Sequence, residues 1–140
     1  MAAMGAVDED LRDSLVQVSF AVIAVLSRVA AEQDVSLTQL RVLGILRDRQ
    51  PTMAELASYL GLERSTVSGL IDRAVQRGLV QKNADRADAR SVRVSLTAQA
   101  RRLESRIIAE IGELMAPMTD RLNTSEQKRL TDLLAKVLGR

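Results

Sequence analysis

Residues Met53–Arg101 read MAELASYLGLERSTVSGLIDRAVQRGLVQKNADRADARSVRVSLTAQAR, and the spacing of apolar positions in this stretch decides the fold. Thr52, just ahead of it, forms a capping box with Glu55: the threonine hydroxyl accepts from the Glu55 amide and the Glu55 carboxylate reaches back. A short helix therefore starts there, passes through Leu56, Ala57 and Leu60, and meets Gly61, where a glycine can take the left-handed turn that ends a helix. A second helix from about Glu63 to Arg77 places Val67, Leu70, Ile71, Ala74 and Val75 on its buried stripe. Its outer face carries Arg64, Ser65, Thr66, Ser68, Gly69, Asp72, Arg73 and Gln76. Two short helices across a tight turn present the second for insertion into a major groove. Ser, Thr and Arg donors suit phosphates and base edges, and Ser65 and Thr66 sit where the helix dipole favours an anion.

Downstream, Gly78 ends the second helix and Leu79 to Lys82 reads as a strand. A second strand, Ser91 to Leu96, alternates Val92, Val94 and Leu96 inward with Arg93 and Ser95 outward. The intervening NADRADAR, Asn83 to Arg90, is too charged to bury and is expected to project as a hairpin loop. Its Arg86 and Arg90, held by Asp85 and Asp88, can lie along a phosphate backbone or in a narrow minor groove. Thr97 can cap a long helix carrying Leu103, Ile107, Ile111, Leu114 and Met115, which Pro117 should kink or end. Thr124 to Gln127 opens a last helix through a further capping box, followed by Leu130, Leu133, Leu134, Val137 and Leu138. Upstream, residues 38 to 48 repeat apolar groups at helical spacing. So do residues 9 to 31, where Val16, Phe20 and Val25 widen the stripe beyond what one neighbour covers, as expected of a helix that also packs on a second chain.

The chain has 140 residues, 46% hydrophobic and 27% charged, enough for one domain with a core of its own. It contains no cysteine and no histidine, which removes disulfides, thiol redox sensing and the usual soft or imidazole metal sites. No cofactor is expected. With one Phe, one Tyr and no Trp, it lacks the platforms on which single strands stack, so duplex is the favoured nucleic-acid partner. The net charge is only +2, but Arg64 to Arg102 holds nine basic residues against three aspartates, leaving the remainder at −4. A basic centre between acidic flanks points to one face for a polyanion. The longest strongly apolar run, Phe20 to Leu26, falls far short of the ~20 residues of a bilayer span. The acidic N-terminus lacks the pattern of a secretory signal. The expectation is a cytoplasmic protein with no membrane partner.

The motifs T-V-S (66–68), L-I-D-R (70–73), R-G-L-V (77–80), and D-A-R (88–90) separated by five residues from L-T (96–97) resemble the winged helix of the MarR family. The match covers Met53 to Arg101, and helix order extends it over nearly the whole chain. The fold then expected is mainly α with a small two- to three-stranded β wing, a winged helix-turn-helix at about 37–97 between dimerisation helices at about 9–31 and 98–139, all in one domain over 1–140. The resemblance implies a triangular homodimer whose first and last helices intertwine, with one winged helix at each lower corner, on a pseudo-palindromic operator. It puts Ser65, Thr66, Ser68 and Arg73 on the recognition helix, matches Asp88 and Arg90 to the D-x-R wing signature, and sets Arg86 near the wing tip. Gly69 stands where many members carry a larger side chain. Sensing through cysteine or histidine clusters, used by some relatives, is excluded by composition.

The function expected is a sequence-specific duplex-DNA-binding transcription regulator, a repressor released by a small apolar or aromatic ligand. A ligand pocket would lie among residues such as Phe20, Leu43, Met115 and Met118, although methionines at this spacing also serve as plain core. The alternative is a dimeric protein-interaction module on the same scaffold, which should have lost the charge of the wing and recognition helix; both are retained. An enzyme would need clustered carboxylates, a phosphate-cradling glycine loop or a nucleophile motif, and none is found.

Overall fold

The computed structural model describes residues 2–140. Its elements in chain order are α1 (Ala2–Glu32), α2 (Leu37–Leu46), α3 (Met53–Leu60), α4 (Arg64–Gln76), β1 (Val80–Ala84), β2 (Val92–Leu96), α5 (Ala98–Thr119) and α6 (Thr124–Val137). They group into two compact units, Leu26–Ile108 and, separately, the residues up to Val25 together with Ala109–Arg140.

The first unit holds a closed apolar core. Val29, Val42, Leu43, Leu46, Leu56, Val67, Ile71, Val80 and Val94 are all less than 2% exposed; they come from the end of α1, from α2, α3 and α4, and from both strands. Each helix in this unit is bounded by local chemistry. Ser36 caps α2 by accepting from the Gln39 amide at 3.0 Å, and Thr52 caps α3 by accepting from the Glu55 amide at 3.2 Å. The expected return bond from Glu55 does not form; its carboxylate instead lies 4.0 Å from Arg93. At the end of α3, Gly61 sits at φ 66° and the Gly61 and Leu62 amides donate to the Ser58 and Ala57 carbonyls. This is the glycine-terminated turn read from the sequence. Gly78, at φ 73°, closes α4 in the same way, with Leu79 donating to Ala74.

β1 and β2 pair antiparallel with Val80 opposite Leu96 and Ala84 opposite Val92. Thr52 adds an isolated bridge to Arg93, and the Val94 amide donates to the Pro51 carbonyl at 3.0 Å, which makes a rudimentary third strand. β1 begins and ends later than expected, β2 begins one residue later and ends at Leu96 as expected, and their inward set differs. Val92 is exposed while Ser95 is buried, its hydroxyl meeting the amides of Asn83 at 3.0 Å and Gln81 at 3.3 Å. Paired donors make that polar burial tolerable. Val75 is also exposed; at about 100° around the helix from Ala74 it lies at the edge of the stripe, where no element covers it.

In the second unit the helices present apolar faces outward. Met4, Val7, Leu11, Val16, Val18, Phe20 and Ile23 are exposed on α1, and Leu130, Leu133, Leu134, Val137 and Leu138 on or beside α6, none of whose residues is buried. α1 begins seven residues earlier than expected, continuous through an Asp8–Arg12 pair at 3.1 Å. Residues 4–32 are long and apolar enough, by length and composition, to cross a membrane. The sequence reading counted only the uninterrupted run and missed this, because the polar breaks Gln17, Ser19 and Ser27 interrupt the run while the stretch as a whole stays apolar on average. Pro117 does not end α5, which continues to Thr119; in the last turn its missing N–H costs a single helical bond. The cap of α6 is Asn123 rather than Thr124, with Asn123 Oδ1 accepting from the Glu126 amide at 2.9 Å and Glu126 Oε1 from the Asn123 amide at 3.0 Å.

Candidate nucleic-acid interface

The face proposed from the sequence belongs wholly to the Leu26–Ile108 unit. Arg64, Ser65, Thr66, Ser68 and Arg73 are all exposed on α4, opposite the buried Val67, Leu70, Ile71 and Ala74. The N-cap of α4 is Glu63, whose side chain makes no capping bond. The first-turn amides of α4 are therefore available to an outside acceptor, at the positive end of the helix dipole. Lys82 Nζ holds Asp72 at 2.8 Å, tying β1 to α4 and removing one carboxylate from this face.

Gly69 has a local role on the same face. A Cβ built there would stand 3.4 Å from Arg73 Nη1, so the Arg73 guanidinium folds back over the space that the glycine leaves. A mid-helix glycine costs about 1 kcal/mol relative to alanine. Gly69→Ala should therefore raise the melting temperature by a few degrees while bringing the added methyl into ordinary van der Waals contact with the end of Arg73. A thermal melt followed by circular dichroism checks the first effect; a lower melting point would show that the glycine serves packing instead.

The wing is built by two successive Asx turns. Asp85 Oδ1 accepts from the Ala87 amide at 3.0 Å and Asp88 Oδ1 from the Arg90 amide at 3.0 Å. The Ser91 amide closes on the Asp88 carbonyl, and the Asp85 amide on that of Ser91. This supplies a physical reason for the D-x-R pattern: the aspartate shapes the backbone from which the arginine projects. The Arg90 side chain is 97% exposed and only 4.0 Å from Asp88, an exposed pair of little energetic weight. Arg86 is exposed, and among the described residues it pairs with no carboxylate.

Asp85 departs from expectation. It is 9% exposed, not solvated, and it holds Arg93 Nε at 3.2 Å rather than Arg86. The Ala87 amide, and then Arg93, keep its carboxyl below the usual aspartate range against the opposing effect of burial. A depressed folded value means that its contribution to stability is complete above the unfolded value of about 3.9 and is lost only as pH falls through the lower folded one. The wing root is thus fully charged at neutral pH.

Sequence reasoning missed Arg93, taken only as an outward strand residue. Its Nη1 donates to the Gln50 carbonyl at 2.7 Å and lies 4.0 Å from Glu55. The available signal was the hairpin register: Asn83 opposes Arg93, so Asp85 is its diagonal neighbour on the same face. Two other arginines also serve the scaffold. Arg41 donates to the Tyr59 and Leu60 carbonyls at the end of α3, and Arg77 to the Asp34 and Gln33 carbonyls beyond α1. The basic segment therefore divides into cations bonded within the protein (Arg77, Lys82, Arg93, Arg101) and cations left to solvent (Arg64, Arg73, Arg86, Arg90, Arg102). Of the residues suggested for a ligand pocket, Leu43 is buried in the winged-helix core, whereas Phe20 is exposed and Met115 and Met118 half-buried in the other unit. Among the described residues, no group of three or more Asp or Glu side chains could hold a metal ion.

Comparison with known proteins bears on the whole chain. A family model described as "MarR family" matches residues 33–91. The chain is 28% identical over 116 residues to the HTH-type transcriptional repressor NicR of Pseudomonas putida, covering 82% of this chain and 73% of that protein. Wild-type MarR from E. coli, in its apo form, aligns with a TM-score of 0.76 at 26% identity, covering 91% of this chain and 96% of that one. A mutant of the same MarR, crystallised with operator DNA, aligns with a TM-score of 0.73 at 25% identity over 92% and 94% of the two chains. The likeness runs along nearly the whole length and not only through the winged helix, so the chain is similar throughout to the winged helix-turn-helix transcription regulators of the MarR family.

Proposed function

We propose that this protein is a sequence-specific double-stranded-DNA-binding transcription regulator that works as a homodimer on a pseudo-palindromic operator. The observation that carries the reading is the division of its cations. Arg64 and Arg73 on α4 and Arg86 and Arg90 on the wing stand exposed, while neighbouring cations are engaged by carboxylates or carbonyls of the protein itself. Guanidinium groups left to solvent on a helix face and a hairpin, held at most by a weak exposed pair such as Arg90–Asp88, are what phosphate neutralisation and groove contact require. Arg64, Ser65, Thr66, Ser68 and Arg73 are assigned to the recognition helix and Arg86 and Arg90 to wing contacts. Asp88 shapes the wing from which Arg90 reaches out.

The exposed apolar faces of α1 and α6 support the homodimer, since faces of this extent on a monomer mark an interaction surface. A second copy covering them makes the whole of 1–140 one functional domain and accounts for the apolarity of α1 without a membrane. In this reading the protein is cytoplasmic, is not an enzyme, and acts as a repressor released by a small apolar or aromatic ligand; the name of NicR supports repression. The test is selection of duplexes from a random-sequence pool on the wild-type protein, followed by footprinting of the chain's own upstream region. Enrichment of an inverted repeat protected on both halves is expected. Failure to enrich any duplex would leave the protein-interaction module as the better reading.

A further inference from the structure

The tip of the wing is attached to the body through polar groups. Residues 86–90 are all exposed, so no apolar side chain of the loop anchors it in the core. Beneath it lies an open cleft of about 540 Å³ lined by Gln50, Asn83, Ala84, Asp85, Arg86 and Arg93. One side chain spans that cleft. Arg93 donates through Nε to Asp85 at the wing root, at 3.2 Å, and through Nη1 to the Gln50 carbonyl ahead of α3, at 2.7 Å. Its backbone is meanwhile bridged to Thr52, the cap of α3. Only a planar, multiply donating group can satisfy a carboxylate and a carbonyl lying on different elements at once.

We propose that Arg93 is the positioning residue of the wing: by tying Asp85 to the segment before α3 it sets where Arg86 and Arg90 stand relative to the helix-turn-helix, and so governs DNA affinity without touching DNA. The proposal rests on the DNA-binding reading above. Mechanically, α3 and the wing root become one body, so a displacement of the α3 N-terminus carries the wing cations with it. Asp85 contributes from the other end, with its carboxyl turned both to the Ala87 amide that shapes the tip and to Arg93.

The experiment uses the full-length chain and a duplex enriched from a random-sequence pool on the wild type, with affinity read by fluorescence anisotropy over a range of salt. Arg93→Lys keeps the charge but cannot make both bonds. It should therefore weaken binding about as much as Arg93→Gln does, on the order of tenfold, and flatten the salt dependence as displaced wing cations cease to neutralise phosphates. Neither substitution should weaken binding further in a chain already carrying Arg86→Ala and Arg90→Ala. Dimer mass and far-ultraviolet circular dichroism accompany each variant, and Asp85→Asn, which breaks the same bond from the wing side, should reproduce the loss if an Arg93 variant fails to fold. Wild-type affinity in Arg93→Lys would make Arg93 a simple cation at the phosphates and overturn the proposal. So would a loss that persists undiminished without Arg86 and Arg90. A wild-type chain that enriches no duplex defeats the DNA-binding reading itself, a different failure from one confined to the variants.

Discussion

Inserting half a helical turn of DNA between the two halves of its site should abolish tight binding by this protein. A two-fold dimer offers its recognition helices in fixed relation, matched to half-sites about 34 Å apart on one face of the duplex. Half a turn puts the second half-site on the far face, and only one α4 can then engage. Binding of the second half-site by a linked pair is effectively intramolecular, so forfeiting it should lower affinity by about 10²- to 10⁴-fold. Inserting a full turn should restore part of it. The same drop should follow from the protein side on removing residues 124–140, because α6 and its C-cap carry Leu130, Leu133, Leu134, Val137 and Leu138 outward and α6 buries none of its residues within its own chain. The shortened chain should keep its winged-helix core, sediment as a smaller species than the wild type, and no longer sense the half-turn insertion. Equal affinity for both spacings in the wild type would mean that the two helices do not read DNA together.

The second large effect separates wing from helix. Replacing Arg86 and Arg90 together by alanine should weaken cognate and random duplexes alike and flatten the slope of log affinity against log salt by about two units, roughly one for each phosphate that is no longer neutralised. Ser68→Ala should instead weaken the cognate site more than random DNA and leave the slope nearly unchanged, since a base-edge hydroxyl releases no counterion. The geometry makes the double variant a clean test. The Asp88 carboxylate bonds the backbone amide of residue 90, which alanine retains, and the Arg90 side chain is almost wholly in solvent, so the turn should survive. An unchanged slope in the double variant would reduce the wing to a solvated hairpin. An unchanged specificity ratio in Ser68→Ala would move base reading to Ser65, Thr66 or Arg73.

What the sequence by itself determined here depends on a few consecutive residues. The Thr52 cap, the Gly61 and Gly78 helix ends, and the stripe Val67, Leu70, Ile71 and Ala74 each follow from local backbone chemistry or helical spacing, and all stand in the structure. The polar face of α4 follows from the same periodicity read in reverse. The resemblance carried by residues 53–101 added the dimer scaffold, which spacing alone suggested only through the excess apolar surface of α1.

Tertiary structure alone decided matters that turn on partners distant in sequence. Asp85 and Arg93 lie on opposite arms of the hairpin and Gln50 more than thirty residues before either. A buried aspartate and a strand arginine bridging to a carbonyl were therefore invisible until strand register was known, and composition argued for a solvated loop. For the same reason Ser95 is inside and Val92 outside: near the end of a two-stranded ribbon, burial is set by which element lies across from a face rather than by alternation. The count of cations in residues 64–102 could be read directly, but which of them are free could not. That division depends on carboxylates and helix-end carbonyls brought near by folding, because a charge is neutralised by what is close to it in space rather than in sequence.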